Sequence, residues 1–223
     1  MNGSGRGDRL ETMTDSQIRK HFDRLAPLYN SYKQKNLFYY QTLKNALQKI
    51  IPAGKKILDF GCGTGEILMC LRPRYGLGID LSRKMIHIAG KKFSENRRLH
   101  FQTDLKKARV FDAIILVDVM EHLSHPGKTL KQLQKHADAQ TQLIVTFIDS
   151  FWEPLLFLLE TLRLKMPEGP HTRLKEKEII AMAKDNGFVL KDKKMIPLFP
   201  YLLSWILPIT ILVFQRHRDK IPD

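Results

Sequence analysis

Two acidic residues and three glycines are the side chains of this 223-residue chain whose types and spacing point most directly to chemistry. Asp59 stands two residues ahead of Gly61, Gly63 and Gly65 follow at intervals of two, and Asp80 ends the next apolar run. Glycines let a backbone turn sharply and approach a ligand where a Cβ would collide. An acid about 20 residues past such a turn is placed to accept hydrogen bonds from a ribose diol. Asp59 would repel a pyrophosphate and suits a ligand carrying an ammonium group. The G-x-G-x-G spacing also departs from the G-x-G-x-x-G of dinucleotide sites. The flanking residues supply the elements this requires: a buried strand over 57–60, a helix over 66–71 and a second strand over 76–79. That is the first half of a nucleoside-binding βαβ unit.

DFGCGTG at 59–65 followed by GIDLS at 78–82 closely resembles the first two motifs of class I S-adenosylmethionine-dependent methyltransferases. The resemblance implies that Asp59, Gly61, Cys62, Gly63 and Gly65 hold the methionine end of S-adenosylmethionine, and that Asp80, with Leu81 beside it, holds the ribose. At the end of the third strand it implies that Asp104 accepts from the adenine amino group, with Leu105 flanking the ring. An Asp after a strand is also a common helix cap. DVMEHLSHP at 118–126 resembles the post-strand motif of the same group. There Val117 ends the strand beside the cofactor, and Asp118 and His122 face the methyl donor or the acceptor. His122 is the candidate general base, since imidazole titrates near neutral pH; next to Glu121 it is equally readable as one half of an orienting pair. A sulfonium is a good leaving group, so the reading requires no metal. S-adenosyl-L-homocysteine would be the product.

These residues need a sheet to position them. Apolar runs predict strands over 99–102, 111–117, 142–148, 188–196 and 209–217, the 111–117 run being the central fourth strand, buried on both faces. Helical periodicity predicts helices over 82–93, 127–137 and 174–186, the last closed by Gly187. A helix beginning at Asp15 or Ser16 as N-cap and ending at Pro27 precedes another over 38–51. HFDRLAPLYN at 21–30 resembles the segment covering the cofactor pocket in quinone-type methyltransferases, which makes Tyr29 and Tyr32 candidate pocket residues. The expected fold is α/β, a Rossmann-like three-layer sandwich. Its sheet is seven-stranded and mostly parallel, with an antiparallel seventh strand paired to the sixth at the edge. The chain divides into a disordered tail over 1–13 and one domain over 14–218, with lid helices over 14–51.

The formal charge of +14 implies an anionic partner. Cys62 and Cys70 match no zinc spacing and suit a reducing interior. The absence of an N-terminal apolar signal region leaves a cytoplasmic protein as the expectation. Two apolar stretches, 150–171 (SFWEPLLFLLETLRLKMPEGPH) and 197–208 (PLFPYLLSWILP), carry the substrate argument. The uncharged run over 195–214 is long enough to raise a membrane span. Pro197, Pro200 and Pro208 interrupt it, and its last third is needed as a strand. An interfacial segment flanked by Lys191, Lys193, Lys194, Arg216, His217 and Arg218 fits instead, peripheral on an anionic inner membrane face. The acceptor is then a lipid, a prenylquinone precursor, a polyprenyl-linked glycan or another apolar small molecule. The rivals are RNA, which suits the charge although no separate RNA-binding module is present, and a non-catalytic cofactor-binding or membrane-associated protein. The sequence leaves the oligomeric state open.

Overall fold

A computed structural model of the chain describes residues 14–105, 109–148, 174–197 and 208–217. Seven strands, β1 (Lys56–Phe60), β2 (Tyr75–Ile79), β3 (Leu99–Gln102), β4 (Ala113–Val117), β5 (Gln142–Ile148), β6 (Phe188–Pro197) and β7 (Pro208–Arg216), form one sheet in the order β3-β2-β1-β4-β5-β7-β6. The pairs among β3, β2, β1, β4 and β5 are parallel, and β7 runs antiparallel to both β5 and β6. The seventh strand is therefore the reversed one, and it lies inside the edge strand β6.

β4 is central because its sequence can be buried on both sides. Ile114, Ile115 and Leu116 are wholly inaccessible. Side chains alternate across a strand, so Ile114 and Leu116 pack to one face with Leu130 and Leu133 of α6 (Pro126–Gln134) and Ile179 and Ala183 of α7 (Glu176–Asp185). Ala113 and Ile115 pack to the other, with Leu43 and Leu47 of α3 (Leu37–Ile50) and Ile67 and Leu68 of α4 (Glu66–Cys70). Each large apolar side chain removed from water in this way contributes roughly 1.5–3 kcal/mol. α5 (Arg83–Lys92), capped by Ser82, buries Met85 and Ala89.

Strand order reverses between β1 and β4, and ligands of open α/β sheets bind in the crevice at that switch, outside the strands' carboxyl ends. Covering it are α1 (Asp15–Leu25), a 3-10 turn (Ala26–Leu28), α2 (Tyr29–Lys35) and α3. The cap of α1 is Thr14, not Asp15 or Ser16: Thr14 and Gln17 form a reciprocal capping box. Pro27 tightens the chain into the 3-10 turn, and a separate helix, α2, resumes beyond it. The expected tail over 1–13 and the bodies of the two apolar stretches over 150–171 and 197–208 lie outside the described residues.

Candidate active site

The glycine loop leaves β1 and is tied down to the end of β2. The Gly61 and Cys62 N–H groups donate to the Ile79 carbonyl at 2.7 and 2.9 Å, and the Gly63 N–H donates to the Asp80 carboxylate at 2.8 Å. Gly61, Gly63 and Gly65 have φ of 83°, 51° and 79°. At Gly61 a Cβ would lie 2.3 Å from Val119 Cγ2, and at Gly63 3.1 Å from the Tyr29 ring. The first glycine thus admits the post-β4 segment and the second admits the lid. The left-handed backbone at both favours glycine irrespective of space.

Asp59 and Asp80 face the loop from the two strand ends. Asp59 is buried, and neither oxygen of its carboxylate has a hydrogen-bond partner among the described residues. Burial raises it to about 7; the Lys33 charge opposes that shift and Asp80 adds to it. Asp80 is raised to about 6 by burial, against N–H bonds from Ser82 and Gly63 that favour the ionised form. Those two bonds, both 2.8 Å, occupy one site on each Asp80 oxygen. A carboxylate has about four acceptor sites, so Asp80 retains capacity for a diol.

Four lid contacts close over this edge. Asp23 accepts from the Ser82 hydroxyl at 2.6 Å, and Asn30 Oδ1 accepts from the Thr64 hydroxyl at 2.9 Å. The Ser124 hydroxyl donates to Asp15 at 2.5 Å, and Tyr39 donates its hydroxyl hydrogen bond to Asp118. Asp118, at the end of β4, has φ 52°, a sparsely populated conformation for a residue with a side chain. Thr146 on β5 holds it there: the Thr146 hydroxyl donates to one Asp118 carboxylate oxygen at 2.9 Å and accepts the Asp118 N–H at 3.1 Å. His122 lies in a 3-10 turn (Met120–His122), its ring edge-to-face with Phe22 of α1, centroids 5.3 Å apart.

The structure brings Asp59, Gly61, Cys62, Gly63, Gly65, Asp80, Val117 and Asp118 to one crevice. Cys62 is buried, its thiol pushed up by burial and by the neighbouring acids. Leu81 and Asp104 are exposed at the rim, and Leu105 is half-buried. Tyr29 roofs the loop as expected, whereas Tyr32 packs with Lys35, its ring centroid 5.7 Å from that ammonium. Tyr40 instead shares Lys33 with Tyr29. Asn30 ends the HFDRLAPLYN segment, whereas Lys33, Tyr39 and Thr146 carry no motif of their own. The one available signal was helical spacing, since Lys33 follows Tyr29 by four residues and so shares its face.

Comparison with known proteins matches the architecture to a family. A family model described as a methyltransferase domain matches residues 29–192. The chain belongs to the methyltransferase domain family. Its fold is that of the class I S-adenosylmethionine-dependent methyltransferases. The malonyl-[acyl-carrier protein] O-methyltransferase of Halalkalibacterium halodurans is 28% identical over 154 residues, 61% of this chain and 57% of that protein. The alignment thus spans little more than half the length of that relative. The ubiquinone biosynthesis O-methyltransferase of Coxiella burnetii is 26% identical over 165 residues, 67% of this chain and 70% of that one. Among solved structures, the magnesium protoporphyrin IX methyltransferase of Synechocystis with bound S-adenosylhomocysteine superimposes with a TM-score of 0.70 at 20% identity, covering 92% of this chain and 100% of that one.

S-adenosylmethionine is the cofactor of the family, and the residues present fit it. The orphaned Asp59 carboxylate calls for a cationic donor, Asp80 has acceptor sites for a diol, and the loop offers backbone where side chains would collide. Among the described residues no group of three or more His, Cys, Asp or Glu side chains could hold a metal ion.

Proposed function

We propose that this methyltransferase-family protein transfers the cofactor's methyl group to an apolar or membrane-associated small molecule. When bound, S-adenosylmethionine supplies an electrophilic methyl on a sulfonium. The chain's part is positioning: Asp59 and the glycine loop grip the amino-acid end, Asp80 the ribose, and Asp104 with Leu105 the adenine edge. Positioning a nucleophile and excluding water account for much of the barrier reduction in such transfers. Asp118 and His122 stand on the acceptor side of the crevice. Asp118 is the proton acceptor the geometry favours, because Thr146 fixes its carboxylate while its backbone is held at φ 52°.

The observation that carries the acceptor class is where apolar surface collects. β5 and β6 end, and β7 begins, at the carboxyl edge, so both apolar stretches leave the sheet there. On the same edge Leu37 and Phe38, next to Tyr39, are 65% and 49% exposed, and Met195 near the end of β6 is 59% exposed. Val110 and Val189 are exposed at the opposite edge, at 44% and 36%, but these three larger exposures lie at this rim, where exposed apolar groups suit an apolar ligand or interface. The basic residues contribute less than their place in the sequence suggests. Arg216 and His217 close β7 at the opposite edge, beside Lys191, while Lys193 pairs with Glu176 at 2.7 Å and Lys194 with Asp192 at 3.5 Å. No described helix is long and apolar enough to cross a membrane. The relatives named for malonyl-[acyl-carrier protein] and ubiquinone biosynthesis are O-methyltransferases, which favours oxygen as the nucleophile.

The test is transfer of tritium from labelled S-adenosylmethionine into membrane and soluble fractions run in parallel. Label extracting into organic solvent from the membrane fraction is the expected result. Label confined to RNA or to water-soluble products would overturn the acceptor class.

A further inference from the structure

Lys33 is a buried cation that the scheme above does not use. It projects from α2 with 8% of its surface exposed, its ammonium 4.7 Å from the Tyr29 ring centroid and 4.9 Å from that of Tyr40. Its nearest carboxylate oxygen among the described residues is Glu66 Oε2 at 3.6 Å, too long for a good hydrogen bond. Glu66 is already paired with Lys92, which approaches its other oxygen from the outer side. An ammonium has three donors, and burying it between two aromatic faces without a close acceptor is costly. Desolvation accordingly lowers the Lys33 pKa, although Glu66 and Asp59 both favour its charged form. The Tyr29 ring that Lys33 faces also lies against Gly63, so the ammonium stands beside the glycine loop, and its charge acts on Asp59, Cys62 and Asp80.

Among the described residues, a buried carboxylate without a donor and a buried ammonium whose one carboxylate partner stands at 3.6 Å border the same loop, and together they are complementary to a zwitterion. We propose that Lys33 takes the α-carboxylate of the cofactor's amino-acid end while Asp59 takes its α-ammonium. The proposal rests on the cofactor assignment. It makes the lid part of the cofactor site: α2 delivers the cation, Tyr29 and Tyr40 flank it, and the Thr64–Asn30 bond fixes α2 against the loop. Bound cofactor would replace the long Lys33–Glu66 contact with a direct ion pair and leave Glu66 to Lys92.

The test is calorimetry with two probes, S-adenosylhomocysteine and its decarboxylated analogue, which keeps the ammonium and lacks the carboxylate. The wild-type chain is expected to prefer S-adenosylhomocysteine by roughly 10- to 100-fold, the range of a charge-assisted hydrogen bond. Lys33→Met should abolish that preference, and Lys33→Arg should retain part of it. Removing Lys33 also raises the Asp59 pKa, but that weakens both probes alike, so the ratio isolates the carboxylate contact. Equal losses for the two probes in Lys33→Met, with the preference intact, would overturn the proposal. Failure of the wild-type chain to bind either probe would instead overturn the cofactor assignment on which it rests.

Discussion

The Tyr39 hydroxyl and the Asp118 carboxylate, 79 residues apart in sequence, join the third lid helix to the end of the central strand. Asp118 follows β4 and Tyr39 belongs to the cover, so this bond ties the start of α3 to the strand end. A hydrogen bond to a charged group contributes about 1.5–3 kcal/mol. Tyr39→Phe keeps the ring and removes the donor. Amides of α3 should then exchange with deuterium about tenfold faster or more, while those of β4 and β5 stay protected, because opening would be local. Unchanged exchange in α3 would mean that packing alone holds the lid.

The two raised carboxyls give the apoprotein and the cofactor opposite responses to pH. Asp59 titrates at about 7 in the folded chain against about 3.9 unfolded, so the folded state holds a proton that the unfolded state has lost. Its stabilising effect is complete below about pH 4 and disappears as pH rises through 7, with a slope of up to about 1.4 kcal/mol per unit. Asp80, raised to about 6, acts with the same sign. Binding a cationic amino group needs Asp59 ionised, so affinity for S-adenosylhomocysteine should climb across the interval in which the apoprotein weakens. Calorimetry near pH 6 in buffers of different ionisation heat should register proton release on binding. Asp59→Asn should melt higher than wild type at pH 7 without ligand, bind poorly, and release fewer protons.

Strands and the glycine loop were legible because residue type dictates them locally. The third and fifth strands fall at 99–102 and 142–148 as read, and the others shift by a residue or two at their ends. A fully buried strand must be a short apolar run, and φ above zero at three alternate positions demands glycine. The Thr14 cap was legible too, in Thr14 and Gln17, but three neighbouring cap formers, Thr14, Asp15 and Ser16, compete for one role. The lid's partners were not. Lys33 is one of 37 Lys and Arg residues, and only its four-residue spacing from Tyr29 sets it apart from them. Tyr39 reads as one aromatic of an amphipathic helix until the sheet brings Asp118 to it. Basic residues bracketing the second apolar stretch look like one cluster on paper; a nine-residue strand carries Arg216 about 25–30 Å from Pro208.

Val119 packs against Gly61 so closely that a methyl group there has nowhere to go. Gly61→Ala combines a Cβ 2.3 Å from Val119 Cγ2 with a φ of 83°. Overpacking costs about 1–3 kcal/mol, and the left-handed conformation roughly 1–2 kcal/mol more. The variant should unfold at markedly lower denaturant. Adding Val119→Ala removes the two nearest atoms but leaves Val119 Cβ at 3.2 Å and cannot change φ, so the double variant should recover most of the steric part and none of the backbone part. Full recovery would show that the loop relaxes its backbone freely, contrary to a fixed bend anchored to Ile79.

The apolar rim can be tested without knowing the acceptor. Leu37 and Phe38 are exposed at the start of α3, so Leu37→Ser with Phe38→Ser should change folding stability by little, within about 0.5 kcal/mol per site as for most surface substitutions. It leaves Tyr39, Lys33 and the glycine loop in place, and affinity for S-adenosylhomocysteine should be unaltered. If the rim seats on a bilayer, burial of a Leu and a Phe there contributes roughly 1.5–3 kcal/mol each when complete. Partial insertion of both would still correspond to about a tenfold loss of partitioning into vesicles of mixed phosphatidylglycerol and phosphatidylethanolamine. Raising the salt separates the two sources of attraction, since screening weakens lysine–headgroup contacts and leaves apolar burial intact. Vesicle binding that vanishes in high salt yet ignores the double substitution would assign the contact to charge alone, and with it the acceptor would lose its claim to lie in the membrane.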